Sequence, residues 1–129
     1  MALKYKIVQQ AEPGVKGGGD YRYYLRATGR RLITIDELAR KLAKETSLSE
    51  VSVKAVLWGL SSAIPDLLLD NCSVEIGELG IFSVSLKSEP VSTVEEATWR
   101  KIRNLKVNFR VGTKIQGKVK NAKFERVDG

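Results

Sequence analysis

Residues 51–69, VSVKAVLWGLSSAIPDLLL, restrict the fold more than any other part of this chain. Val53, Val56, Leu57, Leu60, Ile64, Leu67 and Leu68 recur at helical spacing, and Val51, Trp58 and Leu69 carry the apolar surface most of the way round. A helix apolar on so many sides has to be covered from several directions, more than one short neighbouring helix can supply. Pro65 lacks an amide proton and crowds the Ser61 carbonyl, which predicts a kink or break there. Asp70-Asn71 is the expected stop, because Asn tolerates the left-handed conformation that ends helices.

The flanking segments follow from their own periods. TIDE at 34–37 reads as a capping box, Thr34 accepting from the Glu37 amide and the Glu37 carboxylate reaching back, with Asp36 and Glu37 at the positive end of the helix dipole. Ile35, Leu38, Ala39 and Leu42 continue it as a helix of about 11 residues, on the 3.6-residue period. TSLS at 46–49 ends that helix and offers Ser47 or Ser49 as the next cap. From Cys72 the period becomes two. Val74 and Ile76, then Phe82, Val84 and Leu86, then Leu105, Val107, Phe109 and Val111 alternate with polar residues, predicting a three-stranded antiparallel sheet with one apolar face.

Before the helices, residues 3–7 and 21–28 alternate in the same way and read as two strands. The breaker cluster EPGVKGGGD lies between them. GVKGGG at 14–19 lacks the Gly-Lys-Ser/Thr ending of a phosphate loop and reads as a hairpin tip. The last two sheet strands are separated by SEPVSTVEEATWRKIRN, 88–104, far longer than a hairpin loop, so an arm or excursion is expected. Within it ATWRKIRN can form a helical turn capped by Thr98. The tail, 112–127, is weakly helical.

Charge is segregated along the chain. The net charge is +7, with residues 1–34 and 98–129 strongly basic and 35–97 acidic. A merely soluble surface mixes its signs, so the pattern points to a polyanion partner. There is no His, which removes a His base and a His metal ligand. No carboxylate cluster has metal-loop spacing, so no metal, cofactor, small-molecule substrate or enzymatic activity is expected. The lone Cys72 excludes an internal disulfide and reads as a small core residue. No apolar run reaches the roughly 20 residues that span a bilayer, and the N-terminus lacks a secretory core, so a cytosolic protein with no membrane partner is expected.

The order of two helices, a three-stranded sheet, a long arm and a basic tail resembles the HU/IHF family of bacterial histone-like DNA-binding proteins. ELGIF at 78–82 is similar to that family's turn between its first two strands, and VNFRVGTKI at 107–115 is similar to the segment after the arm. TIDELARKLAKETSLS at 34–49 looks like the first helix and turn. The N-terminal extension resembles that of a divergent HU-like branch of Bacteroidetes-type bacteria. The resemblance implies an α+β fold in which an intertwined homodimer shares a helical base, with β-arms embracing the minor groove of double-stranded DNA in the nucleoid. The expected layout is one domain, 1–129, with a β extension at 1–33, helical base at 34–71, sheet and arm at 72–111 and basic tail or helix at 112–129.

The arm departs from the family's pattern: Pro90 lies near its start, and Glu89, Glu95 and Glu96 make its first half acidic. The candidate DNA contacts are Arg100, Lys101, Arg103, Lys106 and Arg110, with Lys87, Lys114, Lys118, Arg30 and Arg31 beside them. Leu57, Trp58, Leu60, Ile64, Phe82 and Phe109 are the candidate dimer core. Trp99 reads as a buried anchor rather than a stacking wedge. The mechanism expected is architectural, largely sequence-independent binding. The alternatives are an RNA- or ribosome-associated protein and a protein-interaction module on the same fold.

Overall fold

The computed structural model describes residues 1–11, 19 and 21–128. The expected hairpin tip at 14–19 therefore lies, Gly19 aside, outside the described residues. The chain is α+β and divides into two compact units, one continuous (Thr34–Gly117) and one assembled from Met1–Ile33 and Lys118–Gly129.

In the continuous unit, α1 (Ile35–Thr46) starts where the capping box places it, the Glu37 amide donating to the Thr34 hydroxyl oxygen at 3.4 Å. It ends at Ser47 in the left-handed region, φ 63°. Ser49 then caps α2 (Glu50–Leu69), accepting from the Ser52 amide at 3.1 Å. Ala39 of α1 is fully buried where the two helices pack. Lys54–Asp36 and Arg40–Glu50 ion pairs join them at the surface.

Of the kink or break expected at Pro65, the break is absent: α2 runs through it. A proline forfeits its own amide bond and crowds the carbonyl four residues back, but Ile64, Pro65 and Leu68 line one cavity together, which holds both halves of the helix to one surface. The stop is as expected, with Asn71 at φ 61° and the Cys72 amide donating to the Leu67 carbonyl. Cys72 is exposed, not core, because it sits in this turn before the sheet begins. By length and composition α2 could cross a bilayer, which corrects the expectation that no segment reaches that size. A core helix passes the same test, and α2 shares its cavity with sheet side chains.

The sheet β3 (Val74–Ile76), β4 (Gly80–Ser88) and β5 (Ile102–Val111) is antiparallel in that order. Gly80 sits at φ 152°, and a Cβ there would run into the Arg110 carbonyl, so the turn in ELGIF needs its glycine. Val74 pairs with Phe82 and Phe82 with Phe109, the two rings 4.6 Å apart. The strands run further toward the tip than the sequence suggests, so the connection is 89–101 rather than 88–104.

Apolar side chains of α2 and this sheet, with Ile115, line an open cavity of about 870 Å³. Leu57, Leu60, Ile64, Phe82 and Phe109 are on its wall; Trp58 is not, and is 55% exposed. Among the described residues, only Ala39, Val53 and Leu68 form a buried apolar core.

After α3 (Thr113–Lys120) the tail does not stay helical. It returns as β6 (Phe124–Arg126), parallel to β1 (Leu3–Ala11), which also pairs antiparallel with β2 (Tyr21–Ala27). The second unit is thus a three-stranded sheet in the order β2-β1-β6.

Candidate nucleic-acid interface

The pairing of β4 with β5 decides which cations stand together. Ile81 faces Arg110, Ser83 faces Asn108 and Ser85 faces Lys106, so these share the face opposite Phe82, Val84, Val107 and Phe109. Beyond Ser85 the register shifts: Lys87 pairs with Arg103, so Leu86 alone stands against Asn104 and Leu105. This is a β-bulge, and Asn104 adopts φ 55° within it. By strict alternation Arg103 would share the apolar face of Leu105 and Val107. The extra residue moves it into line with Lys106 and Arg110. Lys87, Arg103, Lys106 and Arg110 consequently form a row along one face of the ribbon. The alternating pattern identified the strand but gave no sign of the bulge, and Asn104 was the one residue in it with a left-handed tendency.

The tip is a compact cap. The Glu89 amide donates to the Lys101 carbonyl at 2.9 Å, and two single 3₁₀ turns, Val94–Glu96 and Trp99–Lys101, fill the connection. The expected turn after Thr98 is present, but the Thr98 hydroxyl makes no cap bond. Arg103 holds this cap. Its guanidinium lies 3.3 Å from the Glu89 carboxylate and donates to the carbonyls of Arg100 (2.7 Å) and Ile102 (3.1 Å). Trp99 is 75% exposed, which corrects its reading as a buried anchor; on this outer turn only the Arg100 guanidinium stands over its ring, 5.7 Å from the centroid.

The cations differ in their engagement. Lys87, Arg100, Lys101, Lys106 and Arg110 form no ion pair with another described residue. Lys114 is paired with Glu78 at 2.8 Å. Glu75 shares the polar face at the β3 edge, and with Glu78, Arg110 and Lys114 lines a polar cleft there. The ribbon is therefore charge-balanced at its base and cationic along Lys87 and Lys106, and its cap sets Glu89, Glu95 and Glu96 beside Arg100 and Lys101. Arg30, Arg31 and Lys118 belong to the other unit. Among the described residues no group of His, Cys, Asp and Glu could hold a metal.

Comparison with known proteins sets this geometry in a family. No curated protein matches the sequence. A solved structure from Bacteroides vulgatus ATCC 8482, given only the provisional name of a bacterial DNA binding protein, matches with a TM-score of 0.65 at 10% identity. At that identity the likeness is one of fold. It covers 98% of this chain and 48% of the other, so the chain spans about half the length of its structural neighbour. A family model described as an HU domain fused to wHTH, Ig or glycine-rich motif matches residues 1–126. The chain belongs to that family, HU-HIG.

Proposed function

We propose that the chain is an architectural protein that binds double-stranded DNA through its phosphates, with little sequence readout, as a homodimer in the bacterial nucleoid. The observation that carries this reading is the row Lys87, Arg103, Lys106 and Arg110 on one face of the β4–β5 ribbon, continued by Arg100 and Lys101 at the tip. A two-stranded ribbon fits a DNA groove, and cations on flexible stems neutralise backbone charge without reading bases. Membership of a family built on an HU domain, and the name of the Bacteroides protein, support DNA as the polyanion.

The driving force is release of condensed counterions. Five cations with no ion pair to a described residue, if each meets a phosphate, give a log K that falls by about 4–5 per decade of salt for each chain bound. The exposed Trp99 beside Arg100 offers a ring at the tip for contact with sugars or bases. The cavity between α2 and the sheet supports a second copy as the partner, since that apolar wall stays open among the described residues.

The test is binding of labelled duplex DNA across a salt series, with duplex RNA and single strands as competitors. The expected result is a steep salt slope, preferential displacement by duplex DNA, and a drop in slope of about 2–3 for Lys87→Ala, Lys106→Ala, Arg110→Ala combined. Preference for RNA, or an unchanged slope in the triple variant, overturns the reading.

A further inference from the structure

The sheet β2-β1-β6 has two faces of opposite character, and its register assigns each residue to one of them. Leu3, Ile7, Tyr21, Tyr23, Leu25 and Phe124 share one face, all of them exposed. Lys4, Lys6, Arg22 and Arg26 share the other, with Val8 and Tyr24 between them and Glu125 at the β6 edge across from Lys4. Lys6 stands directly opposite Arg26. Like charges in that relation destabilise a sheet. Neither Lys4, Lys6 nor Arg26 forms an ion pair with a described residue, Glu125 included. A sheet that sets Lys6 against Arg26, with Glu125 as its one acid among the described residues and that at the β6 edge, is relieved by an external polyanion.

The kind of polyanion follows from where the aromatic rings are. Proteins that hold single strands combine backbone cations with rings on which bases stack. Here Tyr21 and Tyr23 lie on the face away from Lys4, Lys6 and Arg26, where the cation is Arg126, held by Asp128, so the basic face can meet a phosphate backbone but among the described residues has only Tyr24 to offer a base. That is the chemistry of duplex backbone contact. We propose that the face bearing Lys4, Lys6 and Arg26, with Arg22 beside them, is a second duplex-DNA surface, carried by a different compact unit from the β4–β5 ribbon. This rests on the reading of the chain as a duplex-binding protein, and adds that one chain grips the backbone in two places.

Two measurements on the full chain test it. The first is lysine-selective acetylation read by mass spectrometry on the wild type, with and without a duplex of random sequence; Lys4 and Lys6 are expected to be protected. The second is the salt series on Lys4→Ala, Lys6→Ala, Arg26→Ala combined. Its slope is expected to fall by about 2–3 and its affinity on the order of 10- to 100-fold near physiological salt. The charge-conserving set Lys4→Arg, Lys6→Arg, Arg26→Lys is expected to keep the wild-type slope. Wild-type binding with Lys4 and Lys6 unprotected and the alanine slope unchanged overturns this inference and leaves the ribbon's role standing. Loss of single-strand binding alone overturns the duplex assignment. Absence of any duplex binding by the wild type overturns the reading of the whole chain.

Discussion

Asn104 is a single residue on which the proposed interface depends. Its positive φ opens the bulge, and the bulge turns Arg103 out of the apolar face and onto the row of cations. A β-branched residue resists the left-handed region, whereas Gly enters it freely. Asn104→Val is therefore expected to cost about 1–2 kcal/mol of stability. It should also lower duplex affinity, because relaxing the register carries Arg103 away from Lys106. Asn104→Gly should preserve both. Thermal melting and duplex titration of the two variants check this. The same residue shows a limit of sequence reading. Alternation named Leu105, Val107 and Phe109 as core-facing, but a bulge is one extra residue in a pairing, visible only once both strands are in register. Trp99 and Cys72 were misread for a related reason: residue type predicts burial only on average, and both sit in turns where the chain has nothing to pack over them.

At the scale of elements, the parts with strong local signals were legible. The Thr34 and Ser49 caps, the Asn71 stop and the alternating strands each rest on chemistry within a few residues. Ser49→Ala removes the oxygen that accepts from the Ser52 amide and should cost about 1 kcal/mol, read as a lower denaturation midpoint with an unchanged m-value. Pro65 does not break α2, its local penalty being offset by the wall it shares with Ile64 and Leu68. β6 was invisible for the opposite reason. Three residues show no period, and its partner, β1, lies at the other end of the chain. The charges were legible as a list but not as a site. Only the fold separates Lys106, which pairs with no acid among the described residues, from Lys114, which is held by Glu78.

For the whole molecule, the feature that matters most is how little of the apolar surface the described residues cover. Three buried apolar residues beside an open wall of Leu, Ile and Phe side chains are what the proposed homodimer would complete. The expected outcome is a two-chain species in sedimentation equilibrium, with a melting temperature that rises with protein concentration. Leu60→Asp, on that wall, should abolish both the dimer and the cooperative melt, whereas Lys106→Ala should leave them intact. The discontinuous make-up of the smaller unit has its own consequence, one of timing. β1 and β2 are synthesised before β6, yet β1 has β6 as its second neighbour, and residues 124–126 follow only after the whole intervening unit. The intervening unit, Thr34–Gly117, is continuous and can form from its own contacts meanwhile. From the making of β1 until β6 has followed, then, one side of β1 stays an unpaired edge, open to pairing with another chain.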